Sequence, residues 1–214
     1  MKIIYILLFL ICATDVFSQS HRNISPKNYQ LDSLENKFGK NKRFIPGLEL
    51  QSLIALSFYP ELSDCDIVFK TSTQESMAKT TLSFLSLLFN TKHFIIYINN
   101  QKSGPGITIN DLPFNAQVGA IGHELGHVAD FRNKNLPGMI WWGLKYLNKN
   151  KRRSIERATD LVTIYHGLGW QLFDFTSFIM NSPQTTATYK RFKSRYYLHP
   201  EEIQLAISKY GNYQ

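Results

Sequence analysis

His123-Glu124-Leu125-Gly126-His127 spells H-E-x-x-H, two imidazoles with a carboxylate between them. On an α-helix the step from His123 to His127 is about 40° of rotation and about 6 Å of rise, so both rings leave one face and can share one ion. Neutral imidazole is a good ligand for Zn²⁺. A carboxylate that does not bind the metal can take a proton from metal-bound water as it attacks a carbonyl. The chemistry this spacing encodes is zinc-dependent hydrolysis, with Glu124 as general base.

The surrounding residues must hold that geometry. From Asn115 to Asp130, Val118, Ile121, Leu125 and Val128 recur at spacings of three and four, and no charge precedes Glu124. This is the pattern of a buried helix. Two His and one Glu on such a helix cost free energy unless they are paired or coordinated. Gly119, Gly122 and Gly126 each cost roughly 1 kcal/mol relative to Ala inside a helix, which implies that another backbone approaches closely.

A catalytic zinc usually takes three protein ligands. In Ser154-Ile-Glu-Arg-Ala-Thr-Asp160 a helix beginning near Ser154 carries Glu156 and Asp160 four apart on one face. One carboxylate can bind metal while the other receives the second ring N–H of a ligating histidine. Asp130 shares a helix face with His127, but one more turn puts it too far from an ion seated between both histidines, so it reads as a helix-end carboxylate or one that bonds behind a ligand. Tyr165, His166, Tyr196, Tyr197 and His199 are all able to donate a hydrogen bond to a tetrahedral intermediate. Tyr197 and His199 are the preferred oxyanion candidates, because Tyr165 and His166 fall off the metal face of the Glu156 helix.

H-E-x-x-H followed by E-x-x-x-D resembles the gluzincin group of zincin metallopeptidases, over roughly residues 94 to 166, with a compactness similar to that of the small minigluzincins. The resemblance implies a zincin-like α+β fold, with a small mixed sheet, an active-site helix and a mainly helical C-terminal part. It implies one Zn²⁺ per chain on His123, His127 and Glu156, with Glu124 as general base and Asp160 behind a zinc histidine. The family's substrate-binding edge strand would correspond to Phe94, Ile95, Ile96, Tyr97, Ile98 and Asn99. Ile155 stands where many gluzincins have Asn. The metzincin pattern is absent, since Asn133 occupies its third-ligand position and Asp130 replaces its glycine.

Around this centre, 214 residues with 43% hydrophobic and 14% aromatic content suffice for one domain with a real core. Lys2 followed by the apolar stretch from Ile3 to Ala13 and modest residues up to Ser18 reads as a secretory signal peptide over 1–18, so the chain is expected to be exported. Residues 19–46 read as an N-terminal arm or propeptide with a short helix around Leu31 to Phe38, and 47–214 as the metallopeptidase domain. Gly47 to Leu62 suits a helix, Asp66 to Thr71 a strand, and His93 to Asn99 the clearest strand. Met77 to Phe89 fits helix or extended chain equally. Cys65 alone remains after the leader, so no internal disulfide is expected.

The formal charge of +8 comes without a nucleic-acid motif. The expected partner is a peptide or protein substrate. Leu136 to Arg153 reads as a loop whose Trp141 and Trp142 pack on the core or cleft, or, with the basic run from Lys145 to Arg153, touch a membrane surface. Two other readings stay open: a zinc hydrolase acting on a non-peptide amide, and a silent zincin-scaffold binding protein.

Overall fold

The computed structural model describes residues 22–73, 76–82, 93–102 and 104–210. The expected signal peptide, and the part of Met77 to Phe89 beyond Leu82, lie outside the described residues. The protein is α+β and mostly helical, with a small mixed sheet. In chain order the elements are α1 (Leu31–Phe38), β1 (Lys42–Arg43), α2 (Glu49–Ser57), β2 (Asp66–Ser72), β3 (Ala78–Leu82), β4 (His93–Asn99), α3 (Phe114–Phe131), α4 (Leu136–Leu147), α5 (Lys149–Thr163), α6 (Gly169–Asn181), α7 (Ala187–Tyr196) and α8 (Pro200–Tyr210).

The strand order is β1-β2-β4-β3. β1 and β2 run parallel, as do β2 and β4, whereas β3 pairs antiparallel with β4, Thr80 opposite Ile96. In β4 the alternation buries Phe94, Ile96 and Ile98 and leaves Ile95 and Tyr97 half-buried. Phe94 to Ile98 is therefore an interior strand, paired on both sides, and cannot be the substrate-binding edge expected from the sequence. Among the described residues the edges are β1 and β3; β3, the one beside β4, has the sequence Ala-Lys-Thr-Thr-Leu, with little apolar alternation to advertise it.

α3 is the central helix, packed against α2, α5, α6 and β3. A Cβ added at Gly119 would lie 2.1 Å from the Gln171 carbonyl oxygen, and one at Gly126 would lie 3.0 Å from Thr159 Cγ2. The first glycine lets the backbone of α6 touch α3; the second lets α5 approach close enough to bring its carboxylates to the histidines.

The folded unit begins before residue 47. Ile24 is buried and its N–H donates to Asn115 Oδ1 at 2.8 Å. Lys42 in β1 is buried too, with its ammonium donating to the carbonyls of Lys40, Ser63 and Cys65 at 2.9, 3.3 and 2.7 Å. All three donors are satisfied although burial lowers the lysine's pKa.

The segment expected to be a loop from Leu136 to Arg153 is two helices. Asn135 caps α4 by accepting from the Gly138 N–H, with Pro137 in the first turn. Asn148 accepts from the N–H groups of Asn150 and Lys151, so α5 starts at Lys149, a turn before the Ser154 start read from the sequence. At the far end, Arg157 of α5 holds α8 through paired contacts to Glu202 at 2.9 and 2.5 Å and donates to the Tyr197 carbonyl at 3.3 Å.

Two predictions follow from this packing. Gly119→Ala must push α6 away and should destabilise the protein by about 1–3 kcal/mol, whereas Gly143→Ala, with nothing within 4 Å of the new methyl, should be neutral or stabilise by about 0.5–1 kcal/mol; equal effects in urea titrations would contradict the close approach. The Arg157 guanidinium holds Glu202 at a pKa of about 2, below the usual 4.5. A depressed carboxylate stabilises fully above its unfolded pKa and loses that contribution as pH falls through its folded one. Glu202→Gln should therefore be less stable than the parent at neutral pH, with the gap closing between pH 4.5 and 2; a gap independent of pH would refute the linkage.

Candidate metal centre

α3 and α5 bring His123, His127 and Glu156 together, each with a ligand atom within 4.8 Å of the others. Glu156 Oε2 lies 3.3 Å from His123 Nε2 and 3.3 Å from His127 Nε2. Glu156 is 1% exposed and His123 4%. Neither His123 Nε2 nor Glu156 Oε2 has a hydrogen-bond partner. Buried polar atoms are normally satisfied, so two orphans converging with a third donor atom mark a place for a cation.

The backs of the three groups are occupied. Asp160 Oδ1 lies 2.9 Å from His123 Nδ1 and accepts its N–H, leaving the lone pair on Nε2. Asp160 Oδ2 accepts from the Leu198 N–H at 2.8 Å, so the same carboxylate anchors the chain between α7 and α8. Thr159 Oγ1 donates to the Ile155 carbonyl at 3.1 Å and lies 3.3 Å from His127 Nδ1, placed to accept its N–H. Tyr146 of α4 donates a very short hydrogen bond to Glu156 Oε1, and Arg152 Nε stands 3.9 Å from the same oxygen. One carboxylate oxygen is thus held and the other faces the histidines. Zn²⁺ fits this donor set: two nitrogens and an oxygen, all buried, with both imidazoles oriented by acceptors behind them.

The electrostatics favour positive charge at this point. Burial opposes a charged His123 ring, but the hydrogen bond to Asp160 and the nearby carboxylates of Glu156 and Glu124 outweigh it and push its pKa up to about 9. Burial alone would raise the Glu156 pKa, yet the closeness of the His123 and His127 rings holds it well below the carboxylate range. A field that stabilises a proton between these groups also stabilises a metal cation.

Glu124 sits on α3 beside the histidines and is 6% exposed. Thr80 of edge strand β3 places its hydroxyl 2.7 Å from Glu124 Oε2 and 3.0 Å from the Glu124 carbonyl oxygen. The residue expected as base is therefore tied to the sheet edge.

Tyr197 and His199 part company. Tyr197 is at the centre, its ring 5.4 Å from that of His123 and the Lys193 ammonium 3.3 Å above it. Burial raises the phenol's pKa well above its usual value, so it remains a donor. His199 turns away, its Nε2 3.2 Å from the Ser194 carbonyl and its backbone N–H donating to Glu202; it starts α8 and is not an oxyanion group here. Asp130 pairs with Lys134, and His166 bonds Glu61 and stacks on Tyr59, both away from the metal residues. Trp142 lies edge-on to His127 at 6.3 Å.

Sequence reasoning missed Thr80, Tyr146, Arg152 and Thr159. For Tyr146 a signal was present: Asn135-Leu-Pro and Asn148 are helix starts, and a helix in this segment turns Trp142 and Tyr146 to one side. Comparison with protein-family models, curated proteins and solved structures finds no match to the chain. The functional reading therefore stands on the chemistry of the site.

Asp160→Asn keeps the shape of the side chain but loses the charge behind His123. It should weaken Zn²⁺ binding by roughly 10–100-fold in a competition titration against a chromogenic chelator; unchanged affinity would remove Asp160 from the centre.

Proposed function

We propose that this chain is a zinc-dependent metallopeptidase of zincin, gluzincin-like type. The observation that carries the reading is the pair of buried, unsatisfied atoms His123 Nε2 and Glu156 Oε2, 3.3 Å apart, facing His127 with Glu124 alongside on the same helix. His123, His127 and Glu156 would hold the ion. When bound, Zn²⁺ supplies Lewis acidity, polarising a carbonyl and making water acidic enough to attack at neutral pH.

The chain's own groups do the rest. Glu124, oriented by Thr80, accepts a proton from the attacking water and returns it to the departing amine nitrogen as the C–N bond breaks. Asp160 and Thr159 keep the two imidazoles in the tautomer that presents Nε2. Tyr197, held neutral by burial, sets its ring beside that of His123 and is assigned the hydrogen bond to the oxyanion.

A peptide is favoured over other amides by β3. Among the described residues this strand is paired on one side only, by β4. An extended peptide laid along such an edge gains main-chain hydrogen bonds, and Thr80 connects that edge to Glu124. The substrate strand is accordingly reassigned from Phe94–Ile98 to Ala78–Leu82.

Glu124→Gln should retain zinc and lower hydrolysis of a denatured-protein or mixed-peptide substrate by roughly 10²–10⁴-fold. Hydrolysis at the parent rate would sink the mechanism. Zinc binding without cleavage of any peptide by the parent protein would move the assignment to another amide or to a binding role.

A further inference from the structure

Helix α4 covers the metal centre and has two apolar faces. Its inner face carries Trp142, against His127 and Phe131, and Tyr146, on Glu156. Its outer face carries Ile140, Trp141, Leu144 and Leu147, which are 57%, 57%, 55% and 82% exposed. Ile140, Leu144 and Leu147 are spaced by four and three, so they form one stripe with Trp141 beside it. Fully burying one such side chain is worth about 1.5–3 kcal/mol, and the fold forgoes most of that gain four times on one short helix.

The charges around this ridge are one-sided. From Arg132 to Arg153 the chain has seven cations and no acid. Arg132 pairs with Asp64 and Lys134 with Asp130, and Arg152 turns inward over the rings of Tyr146, Phe192 and Tyr196. Lys145, Lys149, Lys151 and Arg153 have no ion pair among the described residues. Lys149 and Lys151 occupy the first turn of α5, where the helix dipole disfavours positive charge, so helix stability does not account for them. The ammonium groups of Lys145 and Lys151 lie 5.5 and 5.8 Å from the Trp141 ring centroid. A tryptophan on an apolar ridge flanked by lysines is the arrangement of a surface that meets lipid headgroups.

We propose that the outer face of α4, together with the first turns of α5, docks on an anionic membrane surface. Ile140, Trp141, Leu144 and Leu147 enter the boundary between headgroups and acyl chains, and Lys145, Lys149, Lys151 and Arg153 meet the lipid phosphates. Trp142, expected to share this contact, belongs to the inner face. A helix of 12 residues is about 18 Å long, and among the described residues no helix is long and apolar enough to cross a membrane; α4 would lie in the plane of the surface. A second copy is a poorer occupant, because a two-fold contact of ridge on ridge would bring the two basic runs together. Docking this way places the metal centre about one helix diameter from the lipid, roughly 10 Å.

Co-sedimentation of the full chain with mixed phosphatidylglycerol–phosphatidylcholine vesicles, and with phosphatidylcholine alone, tests the proposal. Binding is expected to the anionic vesicles, to weaken with salt, and to fall by roughly tenfold or more in Lys149→Ala/Lys151→Ala. Trp141→Ser/Leu147→Ser should lose binding to a similar degree while keeping the parent's zinc content and circular dichroism. Equal binding to both vesicles, or vesicle binding that neither pair of substitutions reduces, would overturn the proposal. So would a concentration-dependent dimer that Trp141→Ser/Leu147→Ser abolishes in a protein that binds no vesicles, which would assign the ridge to a second copy.

Discussion

The contact between α3 and α5 at Gly126 and Thr159 is the constraint on which the site depends. Two histidines on one helix present nitrogens but cannot close a coordination shell, and the nearest carboxylates suited to join them belong to a helix that begins more than twenty residues later in the chain. Glycine at 126, where an added Cβ would lie 3.0 Å from Thr159 Cγ2, leaves room for α5 to approach until Glu156 Oε2 stands 3.3 Å from both Nε2 atoms. The candidate metal centre is in this sense a helix-packing interface in which the apolar contact has been replaced by charge. Burying a carboxylate oxygen and an imidazole nitrogen that have no hydrogen-bond partner is expensive, and coordination of a cation would offset that cost.

The other elements act on this interface from outside. Tyr146 and Arg152 fix the Glu156 oxygen that faces away from the histidines. Asp160 orients His123 and at the same time accepts from Leu198, which brings the segment carrying Tyr197 to the centre; Arg157 secures that segment to α8 through Glu202. Thr80 connects Glu124 to the sheet edge. Each of these side chains touches both a functional group and a separate element, so the order of the site and the order of the fold are coupled.

The parts of this arrangement governed by short-range periodicity were legible in the sequence. Helical spacing alone places His123 and His127 on one face and Glu156 and Asp160 on another; of the three glycines that imply a close backbone, Gly119 does meet that of α6, whereas Gly122 and Gly126 face the side chains of Leu168 and Thr159. Strand β4 was legible from its β-branched run, but its place inside the sheet was not, because strand order depends on crossovers that leave no local mark. The edge that the family resemblance implies at Phe94 to Ile98 is accordingly an interior strand, with β3 outside it. The segment from Leu136 to Arg153 was misread because Pro137, Gly138 and Gly143 mask a helix whose stability comes from the contacts of Trp142 and Tyr146 with the metal residues. Thr80 and Thr159 were invisible for a related reason: a lone hydroxyl acquires a role only when tertiary packing brings it to a partner.

The central claim is that His123, His127 and Glu156 together hold one zinc ion, and metal content tests it most directly. Elemental mass spectrometry on the purified protein and on a Glu156→Ala variant shown to be folded should find one zinc per chain in the first and strongly reduced zinc in the second. Little zinc in either protein, or equal zinc in both, would contradict the account.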